Sequence, residues 1–353
     1  MGTLEIIPFE KRENWDAIVR SFPRYDVYYL SGYVSAFRYT GDGDPLLLSY
    51  RGEKLRLCYV VQQRDIADFP LYGGILERGR YFDWSTPYGY GGPLTDGFDG
   101  REVGDFFRQL NDYCRSARIV SQFIRFHPLL QNHKVFEGSC ELWKNRQTVF
   151  IDTADQAVIN ANLESRCRGA VRKALKNHIR IENGQSEEAR RTFVRLYYDT
   201  MHRRNAAGYY YFSEEFFNDF FANTADCCRL FYAVRNEETI CSAIILYCNG
   251  RMHYHLSAAQ RDSLSMSPNN LLLYTAACWG AENGYRQFHL GGGVEPQDSL
   301  FLFKRSFHKK GLADFYIGRN IFWEEAYREL LDIRAASDKD FRPDNGRLIQ
   351  YRA

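Results

Sequence analysis

Three strand-like segments follow one another between residues 229 and 259, and they restrict the fold classes open to this chain. The segments are RLFYAVRN, TICSAIILYC and RMHYHLSAA. Asn249-Gly250 separates the last two and predicts a tight hairpin, because both turn positions favour a positive φ. A helical pattern over 269–283 and a strand over 286–290 come next. This order predicts an α/β chain of mixed α+β sheets in which a helix crosses between two strands.

The two halves of the chain repeat this kind of pattern, although their letters differ. The chain has 353 residues, which is long for one hydrophobic core and natural for two. Each half runs through a helix, then a helix or loop, and then a strand–turn–strand pair of similar length, which in the first half lies at 45–63. We place the boundary near Lys144 and interpret the halves as an internal duplication. The polar stretch over 335–348 predicts a frayed end.

Composition excludes several classes of protein. The net charge of +2 gives no overall field that would attract nucleic acid or a membrane. Nine cysteines without a C-x-x-C pair argue against a disulfide framework and a zinc site, so we expect no metal and a reducing, cytoplasmic location. The longest apolar run, near 271–281, is too short to span a bilayer, so we expect no integral membrane segment.

The segment GGGVEPQDSLFLFKRSFHKKG, residues 291–311, follows a strand and opens a short aromatic helix. Its glycines match neither the dinucleotide fingerprint nor the P-loop, so we reject a phosphate cradle at this place. Lys304 stands beside the apolar stripe of the helix. Two interpretations stay open, because a lysine there can extend harmlessly into solvent or can neutralise an oxyanion or phosphate in a cleft.

Other candidate ligand-binding groups come from helix starts, basic runs and aromatic clusters. The helix that begins at Asn269 and Asn270 leaves unpaired N–H groups, which suit an acyl donor as well as an ordinary crossover. A basic helix over 164–181 reads as a solvated face or as a site for a phosphate-rich partner. One aromatic cluster contains Tyr88 and Tyr90, and another, which follows Arg204, contains Tyr210. Such clusters suit the binding of polar peptides or sugars, or packing between domains.

Five stretches in a fixed order resemble a known family. They are TPYGYGGP (86–93), IRFHPL (124–129), RGAVRKALK (168–176), SPNNLLLY (267–274) and LGGG…DSLFLFKRSF (290–307). They are similar to the Fem family of peptidoglycan-bridge aminoacyl transferases and to the GNAT acyltransferase superfamily. The resemblance implies two tandem GNAT-like acyltransferase domains over 1–145 and 146–317, with residues 318–353 returning to the first.

The resemblance also implies site residues. Lys304, beside Phe303, would lie near the reacting acyl end, and Tyr88 and Tyr90 would help to hold the acceptor. Arg204 and Tyr210 would meet phosphate or peptide of the acceptor. The long coiled-coil arm of some Fem members has no counterpart in this sequence.

The expected chemistry is direct attack of a neutral amine on the donor carbonyl, without a covalent intermediate. Backbone N–H groups near His255 to Ser257 and the Lys304 cation would stabilise the developing negative charge. His255 is a candidate general base because of its position only, and packing in the core is the alternative. The loop over 259–268 lacks the glycines of the GNAT pyrophosphate loop. The donor therefore stays open between aminoacyl-tRNA and acyl-CoA, neither tightly bound.

Three functions remain from the sequence. The first is acyl or aminoacyl transfer to an amine of a cell-wall precursor peptide. The second is N-acetyl transfer from acyl-CoA to an amino sugar or another small amine. The third is a non-enzymatic module that binds tRNA or an anionic glycan, and none of the three involves DNA.

Overall fold

The computed structural model describes residues 2–353, and the chain forms two compact units. Unit 1 contains the chain up to Asn145 together with Phe315–Ala353, and unit 2 contains Arg146–Asp314. The second boundary lies three residues before the predicted one at 317. That each unit works as a separate acyltransferase domain stays a prediction.

Unit 1 is a mixed sheet with four α-helices. Its strands are β1 (Thr3–Pro8), β2 (Asp44–Arg51), β3 (Leu55–Asp65), β4 (Phe82–Ser85), β5 (Leu94–Gly97), β6 (Ile119–Arg125) and the later part of β13 (Leu312–Ile321). Its helices are α1 (Arg12–Arg20), α2 (Ser31–Ser35), α3 (Gly100–Ser116) and α10 (Glu324–Ser337). The strand order is β1-β2-β3-β4-β6-β13, and β5 pairs with β3. Among the strands of unit 1 that the structure describes, only β4 and β6, which α3 connects, pair in parallel.

Helix α3 shows why this crossover forms. Asp99 accepts hydrogen bonds from the backbone N–H groups of Arg101 and Glu102, so the first turn is capped. One face of the helix is apolar and buried on the sheet, at Val103, Phe106, Phe107, Leu110 and Cys114. The helical spacing of these residues in the sequence is therefore the pattern that packs the helix onto the sheet.

Unit 2 repeats the plan. Its strands are the later part of β7 (Glu141–Asp152), β8 (Arg180–Gly184), β9 (Cys228–Arg235), β10 (Glu238–Cys248), β11 (Arg251–Ala259) and β12 (Gln287–Gly291). Its helices are α4 (Gln156–Asn162), α5 (Ser165–Lys176), α6 (Glu187–Arg203), α7 (Glu214–Asn223), α8 (Pro268–Glu282) and α9 (Ser299–Arg305). The strand order is β7-β12-β11-β10-β9-β8. Only β11 and β12, which α8 connects, are parallel.

Both units thus contain four consecutive antiparallel strands, a crossover helix and a parallel fifth strand. The predicted fold class, α/β with mixed sheets in two tandem units, is confirmed. The hairpin at Asn249-Gly250 is also confirmed, with φ of 43° and 78°. The repeated order of elements supports the predicted duplication, which the sequence letters alone did not reveal.

Two local predictions were wrong. The basic helix ends at Lys176 and not near 181, because His178 takes a φ of 56° and β8 begins at Arg180. The end of the chain is anchored, because Phe341 is buried under the Arg334 guanidinium, whose carbon lies 4.9 Å from the ring centroid.

No helix within residues 2–353 has both the length and the apolar character needed to cross a membrane.

Candidate active site in unit 2

Strand β11 changes its pairing halfway along its length. It pairs with β10 from Arg251 to Ala259, but with β12 only from Arg251 to His253. From Tyr254 onward, the edge of β11 that faces β12 lies outside strand pairing. Peptide groups along such an edge can bind an extended ligand by main-chain hydrogen bonds. We call this open stretch, residues 254–258, the strand gap.

A β-bulge lies at the start of the strand gap. Ile244 of β10 is opposite Leu256, and the next residue, Ile245, is opposite Tyr254. His255 is therefore the additional residue on β11. Bulges re-aim side chains and end regular pairing, and they are common beside active sites.

Lys304 is buried beside this region. Asp298 caps α9 by accepting a hydrogen bond from Phe301 N at 2.7 Å. One turn later, the Lys304 side chain is 8% exposed, and its Nζ donates to Gly292 O at 2.7 Å. Nζ also lies 5.9 Å from the centroid of the Tyr254 ring. Helix α9 thus holds an ammonium group next to the first residue of the strand gap.

Burial changes the acidity of this ammonium group. Desolvation lowers the pKa of Lys304 to about 8, and the negative charge of Asp298 opposes that shift. At neutral pH the group is therefore a cation held where water screens it poorly. Such a cation strongly stabilises negative charge that develops nearby. The interpretation of Lys304 as a harmless solvent-exposed lysine does not fit its burial.

The three glycines at 291–293 form the loop whose Gly292 carbonyl accepts the hydrogen bond from Lys304. Gly291 has a φ of 74°, which turns the chain after β12. Asp298 accepts hydrogen bonds from Val294 N and Glu295 N, and a Cβ at Gly293 would collide with its carboxylate. Glycine is therefore required because the loop closes tightly around Asp298.

Tyr254 belongs to the same cluster, and the sequence reasoning missed it. Its Oη donates to Ser257 Oγ at 2.5 Å. Burial raises the pKa of Tyr254 to about 12, and the positive charge of Arg204 opposes that rise. The structure therefore places the Tyr254 ring beside Lys304 within unit 2. A tyrosine in the apolar strand RMHYHLSAA was visible in the sequence, but the end of pairing beside it was not.

His255 is poorly suited to act as a general base. Its ring stacks on Phe220 with centroids 5.3 Å apart. Desolvation, with His253 as a second cause, lowers the pKa of His255 to about 3. A group with so low a pKa has little affinity for a proton at neutral pH. The geometry favours the packing alternative for this residue.

Asn269 and Asn270 lie in the first turn of α8, and their side chains have partners. Asn269 Oδ1 accepts a hydrogen bond from Cys241 Sγ at 2.6 Å. Asn270 Nδ2 donates to Cys167 Sγ at 3.7 Å. Both amides thus tie the start of α8 to its neighbours within unit 2. Asn270 N also donates to Ser267 O at 3.2 Å, so one of the N–H groups predicted to be unpaired already has a partner.

Phe303, Arg204 and Tyr210 differ in exposure. The half-buried Phe303 ring packs against Phe307 with centroids 5.5 Å apart. Arg204 is exposed at the end of α6. Tyr210 is 38% exposed, and its carbonyl accepts a hydrogen bond from Tyr197 Oη at 2.8 Å.

Tyr88 and Tyr90 belong to unit 1. The Tyr88 ring stacks on Phe37 with centroids 5.7 Å apart. The Tyr90 ring packs edge-on against Tyr28 and Phe315 at 5.5 and 5.3 Å. Both tyrosines therefore form part of an aromatic cluster of unit 1, and their predicted contact with an acceptor stays a prediction.

Comparison with known proteins agrees with this architecture. Residues 161–305 match the family model of the acetyltransferase (GNAT) domain, a range that runs through α9 and includes Lys304. No curated protein sequence matches the chain.

Several solved structures have the same fold. FemX superimposes with a TM-score of 0.67 at 15% identity, covering 92% of this chain and 99% of FemX. A conserved protein of unknown function from Bacteroides thetaiotaomicron gives 0.59 at 9% identity, covering 90% and 99%. The C-terminal domain of a protein assigned as a lysylphosphatidylglycerol synthetase from Agrobacterium fabrum gives 0.54 at 13%, covering 93% and 94%. Unit 2 thus matches the acetyltransferase (GNAT) domain model over residues 161–305, and the chain shares its fold with FemX.

Proposed function

We propose that the chain is an N-acyltransferase that moves an acyl or aminoacyl group to an amine of a cell-wall precursor peptide. The observation that carries the proposal is the buried Lys304 ammonium group, held by Gly292 O beside the strand gap. The match to an acetyltransferase domain supports the reaction class, and the fold shared with FemX supports the choice of acceptor.

The reaction needs only positioning and charge stabilisation from the protein. The neutral acceptor nitrogen attacks the donor carbonyl, a C–N bond forms, and the carbonyl electron pair moves onto oxygen. Lys304 and the peptide N–H groups of the strand gap stabilise that oxyanion. The oxyanion then collapses and expels the thiolate of coenzyme A or the ribose oxygen of tRNA. The proton lost from the nitrogen neutralises this leaving group, so no covalent enzyme intermediate is needed.

We favour acyl-CoA as the donor and keep aminoacyl-tRNA as the alternative. The GNAT match of residues 161–305 supports a thioester donor. The strand gap offers main-chain groups to the amides of an extended donor arm. The absence of glycine from the loop over 259–268 is the reason to keep tRNA as a second donor.

Two further functions serve as alternatives. An amino sugar would replace the peptide amine if the chain acts as a simple acetyltransferase, as the GNAT match allows. A binding module for tRNA or an anionic glycan would need the exposed cations of α5 and not Lys304. We also propose a cytoplasmic location, because within residues 2–353 all nine cysteines are free thiols.

The donor and acceptor can be identified in one experiment. Purified protein is incubated with acetyl-CoA or with charged tRNA, and with a muropeptide amine or an amino sugar. Mass spectrometry then detects an acceptor heavier by one acyl group. We expect product with acetyl-CoA and the muropeptide amine, and failure in all four combinations would contradict the transferase proposal.

Substitution of Lys304 by methionine tests the role of the cation. We expect Lys304→Met to lower kcat by roughly 100- to 1,000-fold, the usual loss when one oxyanion-stabilising group is removed. The matched control is Lys309→Met, because Lys309 is exposed just after α9. A Lys304→Met protein that is folded and retains full activity would exclude the proposed role.

A further inference from the structure

Helix α5 presents a cationic face that the proposed chemistry does not use. Between Glu164 and Glu182 the chain has six arginines or lysines and no carboxylate. Five of the six lie on α5, and all five are exposed: Arg166, Arg168, Arg172, Lys173 and Lys176. The whole chain has a net charge of only +2, so this positive charge is local.

Two of these five side chains have a partner within unit 2, and three do not. Arg166 forms an ion pair with Glu164 at 2.9 Å, and Arg168 Nη1 donates to Leu163 O at 2.5 Å. Within residues 2–353, the side chains of Arg172, Lys173 and Lys176 make no hydrogen bond or ion pair. Their charges are therefore available to an external partner.

The opposite face of α5 fixes the helix to the unit. Cys167, Val171 and Ala174 are buried in the core of unit 2. The helix cannot leave the protein and insert by itself, so a partner must accept a rigid cationic surface.

Exposed leucines distinguish the kind of partner. Leu175 is 55% exposed on α5, among the unpaired cations. Leu264 is 43% exposed on the short helical turn before α8, and that turn contacts α5. A phosphate backbone offers nothing to exposed leucines, whereas a bilayer accepts apolar side chains at the level of its headgroups. The five exposed cations of α5 fall within the range of four to eight that is typical of helices that bind anionic lipid.

We propose that α5 attaches unit 2 to the surface of an anionic phospholipid bilayer. Arg172, Lys173 and Lys176 face the headgroup phosphates, and Leu175 and Leu264 enter the headgroup layer. The attachment is peripheral and reversible, since it rests on a few charges and two apolar side chains. It does not depend on the transfer reaction, so either proposal can fail without the other.

The test is co-sedimentation of the full chain with vesicles. Vesicles of phosphatidylcholine with phosphatidylglycerol are compared with vesicles of phosphatidylcholine alone. We expect binding only to the anionic vesicles, and we expect it to disappear when salt rises from about 0.1 M to about 1 M, where screening shortens from about 10 Å to about 3 Å.

Variants locate the binding surface. Each cation near an anionic surface strengthens partition by about fivefold, so Arg172→Gln with Lys176→Gln weakens it by roughly 25-fold. Leu175→Ser gives a smaller loss that persists at high anionic lipid content. The matched control is Arg101→Gln with Arg328→Gln, which removes two exposed cations from helices of unit 1 and leaves binding unchanged.

Two results would overturn the proposal. The first is equal loss of vesicle binding in the control pair and the α5 pair, which would indicate a general charge effect. The second is binding of tRNA without binding of anionic vesicles. If the α5 pair of substitutions then weakens tRNA binding and Leu175→Ser leaves it unchanged, the face is an RNA site.

Discussion

Asp83 of unit 1 and Lys304 of unit 2 are both buried charges, but their surroundings compensate them to different degrees. Asp83 Oδ1 accepts hydrogen bonds from Arg64 Nε at 2.8 Å and Arg352 Nη2 at 2.9 Å. Its Oδ2 accepts one from Tyr351 Oη at 2.9 Å. Lys304, in contrast, donates to one carbonyl, Gly292 O, and lies beside one aromatic ring.

The pKa values of the two groups follow from this difference. Burial raises the pKa of Asp83, but the charges of Arg352 and Arg64 outweigh it and bring the pKa below the usual value. Burial lowers the pKa of Lys304, and Asp298 only partly opposes it. A fully compensated charge stabilises the fold, whereas a poorly compensated cation is ready to receive an anion. The comparison thus separates a structural ion cluster from the cation that we propose to be catalytic.

The largest expected effect comes from weakening the ion cluster around Asp83. Arg352→Met leaves the Asp83 carboxylate buried with one guanidinium fewer, and we expect a loss of about 3–5 kcal/mol in the free energy of unfolding. Urea unfolding of the full chain measures this loss. The matched control, Arg328→Met, removes an exposed arginine of α10 and changes stability by less than about 0.5 kcal/mol. Equal stability of the two variants would contradict the structural role of the cluster.

The pH dependence of the free energy of unfolding tests whether the Lys304 cation is poorly compensated. The pKa of Lys304 is about 8 in the folded chain, against an ordinary value of 10.5. Between these values the unfolded state binds more protons, so the free energy of unfolding rises with pH. The gain is about 3 kcal/mol on going from pH 8 to pH 10.5. The measurement is the difference in the free energy of unfolding between the wild type and Lys304→Met, which lacks the titrating amine. Parallel curves for the two proteins would show that Lys304 is not desolvated.

The smallest effect sharpens the role of Tyr254. Tyr254→Phe removes the hydrogen bond to Ser257 Oγ but keeps the ring beside Lys304. We expect a loss of about 0.5–1.5 kcal/mol in the free energy of unfolding and less than a threefold change in kcat. Tyr274→Phe, which removes the partly exposed hydrogen bond to Asn160, serves as the control. A loss of activity as large as that of Lys304→Met would instead make the hydroxyl part of the chemistry.

The sequence predicted the features that depend on local pattern. Helix spacing and turn residues predicted α3, α8 and the hairpin at Asn249-Gly250. The Lys304 helix was recognisable because its apolar residues follow one another at helical spacing. The same reasoning extended α5 too far, because a left-handed residue such as His178 gives no periodic signal.

The remaining features depend on tertiary structure. Asp83 and Arg352 are 269 residues apart in the chain, so no local pattern could pair them. The strand gap arises from the register of β11 against two neighbours, which a single strand does not encode. Tyr254 is part of the site only because that gap begins beside it. Whether Lys304 is exposed or buried was likewise decided by packing, since both outcomes fit its place at the edge of an apolar stripe.

The most direct test of the account is the pH dependence of kcat/KM for acyl transfer to a lysine-like amine. The acceptor must be neutral and Lys304 must be charged. We therefore predict that kcat/KM rises tenfold per pH unit below about pH 8 and becomes flat above it, where Lys304 loses its proton. In Lys304→Arg, whose side chain stays charged, the rise continues through this range. Superimposable profiles for the wild type and Lys304→Arg would contradict the claim that a poorly compensated lysine cation drives the reaction.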